Sequence, residues 1–213
     1  DRTKRWLSLI EENGRDLVQR VEGILTVAHV GADQEAITAV DPTTIIDEVL
    51  KARVDEIGRL RAVVHVEPGL PLVACHGAYL RQIFDNLVSN ALKFTRQGES
   101  PMVRISGRVQ GPMVTFSVED HGIGIPSTQR TRVFQPFVRL LMSEAPGDGI
   151  GLTIIQRIVE LYGGKVWIDG AEGPGCTVQF TVPSFQEQEG ASNARMQALR
   201  VPDVVDVVRR GVQ

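Results

Sequence analysis

The sequence is short of cysteine, of basic charge and of long apolar runs, and each shortage excludes a class of protein. Only two of its 213 residues are cysteine, Cys75 and Cys176, and neither lies in a Cys-x-x-Cys pair. A disulfide framework needs more cysteines, so we expect a reducing, cytoplasmic compartment. The net charge of −3 gives no electrostatic basis for binding nucleic acid or an anionic membrane.

No apolar run approaches the roughly 20 residues of a membrane-spanning helix. The charged residues from Asp1 to Arg5 lead into no signal-type stretch. We therefore expect no membrane segment in this chain, although the full-length protein could be membrane-anchored. Hydrophobic residues make up 42% of the chain and charged residues 23%, which suits a globular core.

Residues 1–31 show the spacing of a long helix that packs against a partner. Ile10, Leu17, Val21 and Ile24 recur at intervals of three, four or seven residues, which gives a narrow apolar seam of coiled-coil type. Helix stability comes mainly from packing the apolar face, so a helix with such a seam needs a partner.

Strand and helix patterns alternate from residue 36 onward. Asp41 and Pro42 predict the start of a helix with these residues on its buried side: Ile45, Ile46, Val49, Leu50 and Val54. Further helices are predicted at 78–95 and 150–162, and strands at 36–40, 62–66, 72–75, 102–109, 113–120, 165–169 and 177–182. The interleaving predicts a two-layer α/β sandwich with a mixed sheet over 32–183. The polar tail at 184–213 is either flexible with a short docking helix or a link to another domain.

A polar stripe lies along the predicted helix at 78–95. Asn86, Asn90 and Lys93 fall within this stripe at 3.6 residues per turn, beside an apolar face. Asparagine is a mediocre helix former, so two of them one turn apart need a reason. An amide oxygen of Asn90 suits Mg²⁺, and Lys93 would supply charge to phosphates. The helix alone leaves a structural alternative equally open. In that alternative the asparagines form hydrogen bonds with neighbouring backbone groups, and Lys93 is solvated.

Asp120 stands where a predicted strand ends, directly before a glycine-rich loop. Its side chain continues the parity of the apolar residues of that strand, Val114, Phe116 and Val118, and so points toward the buried side. A buried carboxylate needs hydrogen-bond donors, and the exocyclic amine of adenine is a fitting one. Gly122 and Gly124 would let the backbone approach a flat ring. The structural alternative is a tight loop closed by an Asx-turn.

A second glycine loop, at 147–152, stands directly before a predicted helix. Backbone N–H groups at a helix N-terminus form a natural phosphate cradle. The loop lacks the Lys-Ser/Thr of a P-loop and does not follow a strand, so neither a P-loop nor a Rossmann site is expected. Between the two loops, Phe134, Phe137 and the run to Pro146 predict a lid that closes over a ligand.

Together these segments resemble the ATPase superfamily shared by histidine kinases, gyrase, Hsp90 and MutL, and most closely its histidine-kinase branch. The matching motifs follow in order as the N box at 86–95, the first glycine box at 120–125, the F box at 134–137, the second glycine box at 147–152 and the last glycine segment at 173–180. The resemblance covers 36–183 and implies a Bergerat ATP-binding fold that binds ATP and Mg²⁺.

The resemblance implies a role for each matching position. Asn90 would bind Mg²⁺ with Asn86 assisting, and Lys93 would contact the phosphates, so these three would be the catalytic residues. Asp120 would hold the adenine amine, with these residues flanking the ring: Gly122, Gly124 and Ile125. The phosphates would lie along Gly149, Gly151 and Leu152. Thr177 would assist Asp120 through water.

Residues 1–31 resemble the second helix of the family's dimerisation hairpin, which implies a homodimer. None of the histidines, His29, His65, His76 and His121, is followed by an acidic residue as the family's phosphoacceptor usually is. We therefore expect the acceptor to lie on a helix missing from this chain. The resemblance implies transfer of the ATP γ-phosphoryl to that histidine, and then to an aspartate of a response-regulator receiver domain.

Three alternatives share the motifs. One is a nucleotide-binding regulatory module without kinase activity, against which the intact boxes argue. Another is a gyrase- or MutL-type ATPase, which would need a following transducer domain. A serine kinase of the anti-sigma type is disfavoured by the seam at 1–31.

Overall fold

The computed structural model describes residues 37–138, 149–170 and 173–185. Its helices are α1 (Pro42–Ala52), α2 (Val54–Leu60), α3 (Gly77–Lys93) and α4 (Gly151–Leu161). Its strands are β1 (Thr38–Val40), β2 (Val63–Val66), β3 (Val73–Cys75), β4 (Met102–Gln110), β5 (Met113–Asp120), β6 (Val166–Asp169) and β7 (Cys176–Pro183). Within these ranges no helix is long and apolar enough to cross a membrane.

Three predicted features lie wholly or partly outside the described residues. These are the seam helix at 1–31, nearly all of the tail at 184–213, and the stretch 139–148, which includes Gly147, Asp148 and most of the predicted lid.

The main sheet has five strands in the order β2-β4-β5-β7-β6. β2 runs parallel to β4, and the other neighbouring strands are antiparallel, so the predicted mixed sheet is confirmed. β4 and β5, both predicted as strands, form a hairpin with Gln110 paired to Met113. β1 and β3 form a separate antiparallel pair.

The core lies between one face of the main sheet and helices α3 and α4. Alternate residues of β5 and β7 are buried, because successive side chains of a strand point to opposite faces. Phe84 of α3 meets Phe116 of β5 and Phe180 of β7, with ring centroids 5.6 and 5.7 Å from that of Phe84. From α4, Ile155, Ile158 and Val159 are fully buried in the same cluster. This packing fixes the polar stripe of α3 and the first turn of α4 relative to the end of β5.

Helix α2 was not predicted, and Val54 is wrongly placed by the sequence pattern. Ile46 and Val49 are buried on α1 as predicted, but α1 ends at Ala52 and Val54 is 62% exposed. Arg53 separates the two helices and forms a two-point ion pair with Asp85 of α3, in which Nε and Nη2 donate to the two carboxylate oxygens at 2.9 Å each. α1 therefore ends two residues before Val54, and this contact between distant residues holds the junction between α1 and α2.

Candidate functional site

Asp120 lies at the end of β5 and is held by the backbone. The N–H of Gly122 donates to its Oδ1 at 2.8 Å, which is an Asx-turn, and the N–H of Cys176 donates to the same carboxylate. Burial raises the pKa of Asp120, while these two backbone donors oppose the rise. The structure therefore contains the predicted turn, and it also keeps a partly desolvated carboxylate that favours a further donor.

The loop from Gly122 to Ile125 packs against two other segments. Its Ile123 N–H donates to the carbonyl of Phe94 at 2.9 Å, and its Gly122 carbonyl accepts from the N–H of Gly175 at 2.9 Å. Gly124 has φ of +78°, and a Cβ there would lie 2.3 Å from the Gly173 carbonyl oxygen. Only glycine fits this conformation and this contact. The first glycine box, the end of α3 and the last glycine segment thus meet at one place.

The polar stripe of α3 lies across from the start of α4. Asn86, Asn90 and Lys93 are all partly exposed along this stripe. The amide nitrogen of Asn86 donates to the Gln82 carbonyl at 2.9 Å, so this half of the side chain bonds neighbouring backbone. Its Oδ1 faces Gly151, where a Cβ would lie only 2.9 Å away. The amide oxygen of Asn86 is therefore directed toward the N-terminus of α4.

The described part of the second glycine box forms the N-terminus of α4. Gly151 is the first helical residue, and Leu152 packs against the core. Gly149 has φ of +69°, and its carbonyl accepts from the N–H of Phe137 at 3.1 Å. Thr153 of α4 donates its hydroxyl to the Phe134 carbonyl at 2.9 Å, which fixes the F box to this helix. The first N–H groups of α4 thus lie beside Asn86.

The strand register separates Thr177 from Asp120. Asp120 is paired with Cys176, whereas Thr177 is paired with Glu119 on one side and with Asp169 on the other. Paired residues of an antiparallel ladder lie on the same face of the sheet. The prediction that Thr177 assists Asp120 is therefore wrong: its side chain lies on the opposite face.

Cys176 takes the place beside Asp120 that the family resemblance implied for Thr177. Burial, together with the neighbouring Asp120 charge, raises the pKa of the Cys176 thiol to about 12. Cys176 shares the parity of the buried residues Val178, Phe180 and Val182, so the alternation of β7 already contained the signal for this position.

A metal ion at this site would be held by side chains other than a cluster of histidine, cysteine or acidic residues. In the part of the chain that the structure describes, no three histidine, cysteine or acidic side chains lie close enough together to hold a metal ion. The polar groups along the stripe of α3 are amides and an ammonium, namely Asn86, Asn90 and Lys93, and of these three Asn86 faces Gly151 at the start of α4.

Comparison with known proteins identifies a family and relatives of this chain. The family model described as "Histidine kinase-, DNA gyrase B-, and HSP90-like ATPase" matches residues 76–186. The phytochrome-like protein Cph1 of Synechocystis sp. is 31% identical over 195 residues, which cover 84% of this chain and 25% of that protein. The chain thus spans about a quarter of the length of this relative.

Two solved structures share the fold over most of the chain. Full-length ShkA in complex with AMPPNP has a TM-score of 0.68 and 28% identity, over 86% of this chain and 39% of that chain. Histidine kinase ThkA in complex with the response regulator protein TrrA has a TM-score of 0.65 and 25% identity, over 86% of this chain and 52% of that chain.

Proposed function

Because the chain belongs to the family of histidine kinase-, DNA gyrase B- and HSP90-like ATPases, we propose that it is the ATP-binding catalytic part of a two-component sensor histidine kinase. It would transfer the γ-phosphoryl group of ATP to a histidine that is none of the four in this sequence. An aspartate of a response-regulator receiver domain would accept the group next. The likeness to ThkA in complex with TrrA supports a partner of this kind.

The environment of the Asp120 carboxylate is the observation that most strongly supports nucleotide binding. Its carboxylate is partly desolvated at the end of β5 and accepts two backbone N–H groups. It retains acceptor capacity for the amine of adenine, because an ionised carboxylate has about four lone-pair sites. Gly122 and Gly124 keep the approach free of Cβ atoms, and Ile125 would line the ring.

The phosphates would lie between α3 and the start of α4. The first N–H groups of α4, at Gly151 and Leu152, suit an anion, and Gly149 precedes them. Lys93 would place its ammonium against the same phosphates. The described fold of α3 directs Asn86 toward this place, with Asn90 one turn later, and their amide oxygens fit Mg²⁺ alongside phosphate oxygens and water.

In phosphoryl transfer the protein mainly positions groups and stabilises charge. Bound Mg²⁺ would neutralise charge on the transferred group. The residues of this chain would hold the adenine at Asp120, orient the phosphates on α4 and direct the γ-phosphoryl outward to an acceptor. Asn86, Asn90 and Lys93 are the residues that we propose for this step.

The same proposal divides the chain into three parts. Residues 1–31 would be the second helix of a dimerisation hairpin and would make a homodimer. Residues 32–183 would be the ATP-binding domain, and 184–213 would be a tail.

The proposal is tested by measuring nucleotide affinity and phosphoryl transfer separately. The chain is titrated with ATP with and without Mg²⁺, and it is then mixed with γ-labelled ATP and a separate dimerisation hairpin that contains a histidine followed by an acidic residue. We expect Mg²⁺-dependent ATP binding, and label on the hairpin that is lost in acid and kept in base, as a phosphohistidine is. No stable label is expected on the chain itself.

Two variants and two contrary outcomes make this test specific. Asn90→Ala should lower transfer and the Mg²⁺ dependence, whereas Arg108→Gln, an exposed change on β4, should leave both unchanged. Binding of ATP without transfer to any hairpin would favour the regulatory module over the kinase. Failure to bind ATP at all would refute both.

A further inference from the structure

Two arginines hold the two ends of the loop from Gly122 to Ile125, which is here called the adenine loop after the function proposed above. The Nε–H of Arg96 donates to the Gly122 carbonyl at 3.2 Å, just after α3 ends. The Nε–H of Arg130 donates to the Ile125 carbonyl at 3.2 Å, and its Nη1–H donates to the Gly170 carbonyl at 2.7 Å. Both arginines are partly buried. Each end of the loop is therefore bonded to a guanidinium group from outside it.

The two arginines connect the loop to different parts of the fold. Arg96 follows α3 and also forms an ion pair with Glu99 at 3.4 Å. Arg130 follows the 3₁₀ turn Ser127–Gln129 and reaches the end of β6 at Gly170. Its charge also acts on Cys176, whose pKa it lowers, so the guanidinium lies near the site. A loop bonded in this way to α3 and β6 has fewer conformations available before a ligand arrives.

We propose that Arg96 and Arg130 are positioning residues that preform the adenine loop, so that the nucleotide base binds without first ordering it. This inference rests on the proposed function, because it assumes that Gly122 to Ile125 flank the base. A hydrogen bond from a charged donor stabilises more than a neutral one. Ordering a loop on binding reduces affinity, and preorganisation removes that cost.

The test distinguishes positioning of the base from simple attraction of phosphate by positive charge. Affinities for ATP, ADP and adenosine are measured for the wild-type chain and for Arg96→Gln, Arg130→Gln and Arg130→Lys. Positioning predicts that each glutamine variant loses about fivefold to tenfold in affinity, by the same factor for all three ligands. Attraction of phosphate predicts a loss for ATP and ADP but none for adenosine, and that result would overturn the proposal.

Arg130→Lys sharpens the comparison because it keeps the charge but not the two-point geometry. One ammonium cannot reproduce the guanidinium fork that spans the Ile125 and Gly170 carbonyls. We expect the loss of binding free energy in Arg130→Lys to be at least half of the loss in Arg130→Gln. Full rescue by lysine would contradict a positioning role.

Hydrogen exchange on the nucleotide-free chain separates this inference from the proposed function and from general loss of folding. Amides of the adenine loop should exchange faster in Arg130→Gln than in the wild type, while amides of α3 and α4 should not change. Arg108→Gln is the matched control and should change neither. Unchanged exchange in the loop would refute the inference even if ATP binds. Failure of the wild-type chain to bind ATP would instead refute the proposed function.

Discussion

Two opposing effects act on the pKa of the Asp120 side chain, namely burial and backbone hydrogen bonds. Its carboxylate is bonded by Gly122 and Cys176, yet burial still raises its pKa. Burial of charge costs free energy unless donors compensate it, and the proposed donor is the base of the nucleotide. The nucleotide-free protein should therefore be less stable with this carboxylate ionised than with a neutral group at the same position.

Asp120→Asn should stabilise the nucleotide-free chain and abolish its function. A raised native pKa means that the stability present at low pH is lost as pH rises through the native pKa of Asp120. The variant should therefore exceed the wild type in free energy of unfolding at pH 7.5, with a smaller difference at pH 4.5, by urea denaturation. ATP affinity should fall more than tenfold, because the amide presents a donor to the adenine amine. A variant less stable than wild type at pH 7.5 would contradict this account.

Cys176 and Thr177 are adjacent in sequence and lie on opposite faces of the sheet. Cys176→Phe should lower ATP affinity at least tenfold, because the larger side chain would stand beside Asp120. Thr177→Val should leave it within twofold, because the side chain at 177 faces away from the site. Isothermal titration of both variants checks the register, and equal losses would show that the assignment of faces is wrong.

The sequence pattern identifies Asp120 but not the arginines that hold the loop beside it. A carboxylate after an alternating strand is a local pattern, and the local pattern is sufficient to place it. Arg96 and Arg130 bond to carbonyls 26 and 5 residues away, and no periodicity encodes such contacts. Thr177 was misassigned although the parity of β7 pointed to Cys176.

At the scale of secondary structure, prediction succeeds where burial is periodic. β5 and α3 were predicted within one or two residues of their bounds because apolar residues recur at periods of 2 and 3.6. α2 was missed because none of its residues is buried and Gly58 lies in its interior. Its boundary with α1 depends on Arg53 and Asp85, which are 32 residues apart.

Two glycine-to-alanine changes in helices should differ in effect, one raising stability and the other lowering ATP affinity. At Gly58 of α2 a Cβ would meet nothing within 4 Å, so Gly58→Ala should stabilise the chain by about 0.5–1 kcal/mol. At Gly151 of α4 a Cβ would meet Asn86 Oδ1, so the same change should displace that amide and lower Mg²⁺-dependent ATP affinity. Thermal unfolding and ATP titration of both variants test this. Unaltered ATP binding in Gly151→Ala would show that the Asn86 contact is dispensable.

At the scale of the whole molecule, the core contains a thiol that limits stability in alkali. Cys75 is 1% exposed, and burial raises its pKa from 9.0 to about 12. The unfolded chain therefore loses this proton first, and the free energy of unfolding should fall by about 1.4 kcal/mol per pH unit between pH 9 and 12 from this group. Cys75→Ala should remove that part of the slope in urea denaturation at pH 8 to 10.5. A slope equal to that of the wild type would contradict it.

The bond between the Phe137 N–H and the Gly149 carbonyl brings the two ends of residues 138–148 together at one point of the fold. When the fold holds the two ends of a chain segment together, the entropic cost of closing that segment grows only with the logarithm of its length. Each doubling costs roughly 0.6 kcal/mol. The free energy of unfolding of the domain therefore depends little on how many residues lie between these ends. Evolution or an engineer could lengthen, shorten or replace this stretch while the rest of the domain keeps its stability.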